Sequence, residues 1–138
     1  MGPSFNKEIM ASIYAGSTPK YLIKIKDENG VQLDPRESSQ ITEVMVYIYN
    51  SISGQMIAKF YLNAAPNPVT GWAQMTRKVI SATDVRLLMS LTAAQTIAAE
   101  GNNNIIQINT HIPDSECEDG VRRIIKKGKF HEIKPAVQ

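Results

Sequence analysis

The run ITEVMVYIY, residues 41–49, constrains this chain more than any other, because an apolar or aromatic side chain stands at most of its positions. Read with the period of two that a strand imposes, Val44, Val46 and Ile48 share one face while Met45, Tyr47 and Tyr49 share the other. A strand exposed to water on its second face would carry polar groups there. This one does not, so the sequence predicts a strand with cover on both faces.

The same period recurs along the chain. In YLIKIK, residues 21–26, Tyr21, Ile23 and Ile25 oppose Leu22, Lys24 and Lys26. The turn Asp27-Glu28-Asn29-Gly30 follows, and Asn-Gly is a strong hairpin signal because both residues tolerate positive φ. Residues 31–33 are expected to pair back briefly before Pro35 ends the pairing. After a turn at 50–54, residues 55–62 return with Met56, Ala58, Phe60 and Leu62 aligned. Residues 63–71 hold Pro66 and Pro68 and read as a loop. Residues 72–80 alternate again, with Ala73, Met75 and Val79 opposite Gln74, Thr76 and Lys78. Residues 85–91 fit a strand or a helix. Thr92 and Gln95 then form a capping box for a short helix continued by Ala94, Ile97 and Ala98 and ended by Gly101. Ile106, Ile108 and Thr110 mark one face of a further strand. Residues 113–120 form a polar turn, and 121–133 read as one bent strand or as two around Gly128.

Seven or eight short strands and one short helix are the pattern of an all-β sandwich. The expected core includes Val44, Val46, Ile48, Phe60, Ile106 and Ile108. The organisation predicted is an N-terminal arm over residues 1–20 with a possible first strand, a sandwich domain over 21–133, and a short tail over 134–138. At 138 residues with 43% hydrophobic and 20% charged side chains, the chain can form one packed domain. The net charge of +2 gives no overall electrostatic reason to expect nucleic acid as the main partner. The lone Cys117 cannot form a disulfide within the chain, so the core must hold the fold. No apolar run has the length of a signal peptide or a membrane helix, which leads to the expectation of a soluble protein made in the cytoplasm.

Residues able to do chemistry are few. A nucleophile needs a positioned base, and His111 and His131 are the only histidines. Neither lies in a nucleophile motif, and both are expected at the surface or an interface. One cysteine and two histidines cannot fill a structural zinc site. The acidic turn Asp114, Glu116, Glu118 and Asp119 lacks the ligand spacing of a calcium loop. Gly101-Asn102-Asn103-Asn104 lacks the lysine of a phosphate loop. No enzyme activity, metal or cofactor is therefore expected. The remaining feature is the basic run Arg122, Arg123, Lys126, Lys127 and Lys129. It reads either as a phosphate-binding patch or as a strand that meets acidic surfaces of a neighbouring copy.

These segments together resemble the immunoglobulin-like domain at the N-terminus of phage baseplate upper proteins. YLIKIKDENGVQL is similar to that family's opening hairpin, and ITEVMVYIYNSISGQMIAKF to its central hairpin. In VRLLMSLTAAQTIAAEGNNNIIQINTHI, Leu91, Thr92 and Thr96 resemble its step from strand into short helix, and EDGVRRIIKKGKFHEI is similar to its closing hairpin. The closing turn is longer and more acidic here, and no counterpart of the family's C-terminal region is present in this sequence. The resemblance implies an immunoglobulin-like sandwich in a structural component of a tailed-phage virion. A chain of this kind is expected to act as a ring or connector subunit of neck, tail or baseplate, made in the host cytoplasm and assembled with copies of itself and other virion proteins. The candidate subunit interface comprises Met45, Tyr47 and Tyr49 with Asp114, Glu116, Glu118, Asp119, Arg122, Arg123, Lys126, Lys127 and Lys129. Two other readings are a nucleic-acid-associated protein using Arg122 to Lys129, and a carbohydrate or receptor module using Trp72, Tyr47, Tyr49 and Tyr61.

Overall fold

A computed structural model describes residues 12–63 and 71–136. The expected loop prolines Pro66 and Pro68 and most of the N-terminal arm lie outside the described residues. The strands are β1 (Ile13–Tyr14), β2 (Lys20–Ile23), β3 (Glu43–Asn50), β4 (Met56–Asn63), β5 (Ala73–Gln74), β6 (Thr76–Ser81), β7 (Asp84–Ser90), β8 (Asn104–Pro113), β9 (Val121–Lys129) and β10 (Ile133–Lys134). The single described helix, α1 (Ala93–Ala98), separates β7 from β8. Of the ten described strands, β1, β5 and β10 are two residues long.

The strands form a five-stranded sheet of order β5-β4-β3-β8-β9, a three-stranded sheet of order β2-β7-β6, and the pair β1-β10. The two larger sheets pack face to face as a β-sandwich. Val44, Val46 and Ile48 of β3 and Ala58, Phe60 and Leu62 of β4 meet Leu87 and Met89 of β7 in one buried cluster. Central β3 pairs antiparallel with β4 on one side and β8 on the other, with Val46 opposite both Phe60 and Ile108.

Two of the turns are fixed by a side-chain oxygen that accepts from following amides. At 27–31, the Asp27 carboxylate accepts from the Asn29 and Val31 amides, each at 2.9 Å, and the Gly30 amide donates to the Asp27 carbonyl. Of the Asn-Gly pair only Gly30 takes a positive φ, 82°, so the expected turn is a three-residue loop with a glycine bulge. At the next hairpin the Asn50 side chain accepts from the Ile52 and Ser53 amides. Helix α1 carries the expected capping box: Thr92 Oγ1 accepts from the Gln95 amide at 3.1 Å, and Gln95 Oε1 accepts from the Thr92 amide at 2.9 Å. The helix caps at Ala99 and not at Gly101. Gly101 instead turns the chain at φ 116° and exchanges backbone hydrogen bonds with Ile133.

Three further expectations need correction. The run 72–80 is not one strand: it splits between the two sheets, with β5 on β4 and β6 on β7. The crossing point is Met75, only 1% exposed, while Val79 on β6 is 54% exposed, because β6 is an edge strand of its sheet. Met56 is exposed, not aligned into the core with Ala58, because a register shift beside Tyr49 turns it out. Ile106 and Ile108 are half-buried, since the narrower sheet ends at β2 and does not reach fully over β8.

Candidate interaction surface

Strand pairing decides which side chains share the outward face of the five-stranded sheet. Because Val44, Val46 and Ile48 point into the sandwich, Met45, Tyr47 and Tyr49 point away from it, and so do the residues opposite them. One row runs Met45, Asn109, Ile125; the next Tyr47, Gln107, Lys127; the next Tyr49, Ile105, Lys129. Glu43, His111 and Arg123 form a fourth row, in which His111 Nδ1 lies 3.5 Å from Glu43 Oε2. Gln107 donates to Asn109 along β8 at 2.9 Å, fixing both amides in the plane of the face. Among the described residues no further sheet or helix lies over these rows. Ile125 at the edge of the face is 59% exposed.

Part of the face is nonetheless covered from within the chain. The Trp72 ring meets Tyr47 edge-on at 5.2 Å and Tyr61 at 6.4 Å, and Lys59 Nζ sits 5.0 Å from its centroid. Tyr61 is only 3% exposed. The cover that the sequence demanded for the second face of β3 is therefore supplied in part by a tryptophan that stands just before β5. The four aromatics grouped for a carbohydrate site are not presented together, because Tyr61 is buried beneath Trp72.

The closing hairpin divides into two sets. Arg123, Lys127 and Lys129 join Met45, Tyr47 and Tyr49 on the outward face, whereas Arg122 and Lys126 fall on the opposite parity. Arg122 Nη1 donates to Glu28, and Lys126 Nζ donates to the Asp27 carbonyl at 2.7 Å. Arg122 Nε also lies 3.5 Å from Asp114, and Arg123 Nη1 donates to Asp119 at 2.7 Å. The Arg123 guanidinium holds the Asp119 carboxyl below its usual range. Asp114, Asp119, Arg122 and Arg123, expected to pair between copies, thus pair within the chain, because the nine-residue β9 returns directly over the turn and past the 27–30 loop. Among the described residues Glu116, Glu118, Lys127 and Lys129 take part in no ion pair and remain open to a partner.

Cys117 sits half-buried in the acidic turn, where burial and the neighbouring Asp114 push its thiol pKa up. His131 stacks on Tyr21 at 5.5 Å, at the opposite end of the β8–β9 hairpin from His111. Among the described residues no three His, Cys, Asp or Glu side chains come together as metal ligands. Sequence reasoning missed Ile105, Gln107, Asn109 and Ile125 as members of the outward face. The alternation of β8 and β9 was legible; their register against β3, which aligns the rows, was not. No family model matches the chain, and no curated protein or solved structure compared with it matches either.

Proposed function

We propose that the chain is a structural component of a tailed-phage virion, an immunoglobulin-like ring or connector subunit of neck, tail or baseplate that works through protein–protein contacts and performs no catalysis. The observation that carries this reading is the outward face of the five-stranded sheet. It sets Met45, Tyr47, Tyr49, Ile105 and Ile125 beside amides and lysines on adjacent strands. A broad, rigid face with apolar and aromatic groups at its centre and charge at its rim fits a protein interface better than a small-molecule site.

The strand order supports the immunoglobulin-like part. The sheets β2-β7-β6 and β5-β4-β3-β8-β9 follow the B-E-D and C″-C′-C-F-G orders of variable-type domains, although β5 runs parallel to β4, and β1 runs parallel to β10. The resemblance of the four sequence segments to phage baseplate upper proteins supports the virion part.

Native mass measurement of the purified chain, alone and with the products of the genes beside its own, tests the proposal. A discrete multimer or a co-complex of fixed stoichiometry is expected. Tyr47→Ser with Tyr49→Ser should abolish assembly and leave a folded monomer, since the apolar face supplies most of the affinity. A chain that stays monomeric at all concentrations, ignores those neighbours and binds DNA would refute it.

A further inference from the structure

Among the described residues the ladder of the five-stranded sheet stops at β9, a nine-residue edge strand. Beside its C-terminal half the sandwich is open. A groove of about 300 Å³ lies between β2 and β9, lined by Tyr21, Ile23, Met89, Ile106, Phe130 and His131 together with Lys24 and Lys129. Beside it stands Gly128, paired with Ile106 of the groove wall and so on the inward parity of the strand. A Cβ placed there would meet nothing within 4 Å, so the strand is bare over the groove. The Tyr21 hydroxyl, on the same wall, is buried and has no hydrogen-bond partner among the described residues. On the outward parity, flanking Gly128, are Lys127 and Lys129, exposed and without ion pairs among the described residues.

From this we infer that the free edge of β9 at Lys127–Lys129 accepts an extended segment of a partner protein, added as a further strand, whose residues alternate acidic, apolar, acidic. The parity of the edge dictates that pattern. Residues of an added strand that face outward lie across from Lys127 and Lys129, where carboxylates are favoured and cations repelled. The residue between them points inward over Gly128, where a bulky apolar side chain fills the groove against Ile106 and Phe130. Main-chain hydrogen bonds to the unpaired groups of the edge would supply strand addition. A second β9 is a poor occupant. Its own Arg122, Arg123, Lys126, Lys127 and Lys129 would confront the same charges, and lysines on an edge strand oppose self-pairing. Single-stranded nucleic acid fits less well, because the rings of Tyr21, Phe130 and His131 are engaged with one another and are not laid open for base stacking.

The probe is a capped synthetic peptide, Glu-Leu-Glu-Phe-Glu-Leu-Glu, titrated into the full chain and followed by amide chemical shifts and hydrogen exchange. Binding should perturb and protect the amides of residues 127–131. The same peptide with lysine at each glutamate should not bind. Gly128→Val fills the bare position without forcing a positive φ; it should keep the native melting temperature and weaken the glutamate peptide by about tenfold or more. Lys127→Glu with Lys129→Glu should reverse the preference between the two peptides. Four results would overturn the inference: no binding by either peptide, equal binding by both, β9 edge amides already protected in the unliganded chain, or displacement of the peptide from residues 127–131 by oligothymidylate. The first two deny the recognised pattern. The third means that this chain's own residues cover the edge, and the fourth that the edge serves nucleic acid. None bears on assembly through Tyr47 and Tyr49, so the two claims fail separately.

Discussion

Thr96 gives the sharpest test of how the N-terminal entry is tied to the sandwich. It lies in α1 with no exposed surface. Its Oγ1 accepts from the Gly16 amide at 2.9 Å and donates to the Ser17 carbonyl at 2.8 Å, with the Ala93 carbonyl a further acceptor at 3.1 Å. One hydroxyl thus joins residues 16 and 17 to a helix some eighty positions away. Thr96→Val keeps the shape and removes the hydroxyl, leaving the Gly16 N–H and the Ser17 C=O without it. Each orphaned group costs about 1–3 kcal/mol when water cannot reach it. Gly16 and Ser17 are exposed, so water repairs part of that loss, and a total of about 2 kcal/mol is expected. With an unfolding entropy of about 0.29 kcal/mol/K for a chain of this length, the melting temperature should fall by about 7 °C. Thr96→Ser keeps the hydroxyl and loses one methyl, about 0.8 kcal/mol. Thermal unfolding by circular dichroism measures both, and hydrogen exchange at the Gly16 amide reads the bond itself. The reasoning fails if the Thr96→Val variant melts within about 2 °C of the parent, against the fall of about 7 °C worked out above. It fails equally if the serine and valine variants are destabilised alike with unchanged Gly16 exchange.

Other perturbations probe other parts of the molecule. Val46→Asp places a carboxylate at a position with no exposed surface between Phe60 and Ile108, at a cost of several kcal/mol, and should unfold the chain at room temperature; unchanged melting would overturn the register of β3. Thr92→Ala breaks the capping box and should cost about 1 kcal/mol by urea denaturation. Asp84 is held at a pKa of about 2, first by hydrogen bonds from Arg86 and then by one from Gln32. Its folded pKa lies below its unfolded one, so its contribution is fully present above the ordinary aspartate pKa and is lost as pH falls from about 4 towards 2. Asp84→Asn should therefore lower stability at pH 7 and flatten the acid limb of the stability–pH curve; a parallel curve would refute the linkage. Cys117, its thiol pKa raised, should react with iodoacetamide at pH 8 more slowly than glutathione does, and an equal rate would contradict its half-buried, acidic setting.

What the sequence showed of this fold depended on where each residue's neighbours lie. The period-two pattern of β3 and β4 was readable because both strands lie inside the wider sheet and their inward faces are covered along most of their length. The capping box of α1 was readable because Thr92 and Gln95 satisfy each other locally. The segment 72–80 was not, because nothing local marks the point at which a chain leaves one sheet for another. Met75 is simply apolar in an alternating run, and its burial follows from the crossing, not from its neighbours in sequence. The same holds for the closing hairpin. Acidic and basic runs close together in sequence invited pairing between copies, but the Arg122 partner Glu28 is 94 positions away and becomes visible only once the 27–30 loop is set against β9.

The unequal widths of the two sheets link these observations. Three strands cannot cover five, so the inward side chains near the end of the wider sheet are only partly enclosed. That is why Ile106 and Ile108 are half-buried although their alternation matches that of Val46 and Ile48. The shortfall falls on the side where β2 faces β9. There Arg122–Glu28 and Lys126–Asp27 close one end of the seam, and the Tyr21–Phe130–His131 cluster packs at the other. Between them lies the groove, with Gly128 beside its wall residue Ile106. A Cβ at position 128 would meet nothing within 4 Å, so the fold would tolerate a side chain there. The glycine leaves the inward side of the strand bare, beside Lys127 and Lys129, which oppose self-pairing of the edge. An edge left bare at Gly128 and resistant to self-pairing fits an occupant that supplies both the apolar group and the opposite charge.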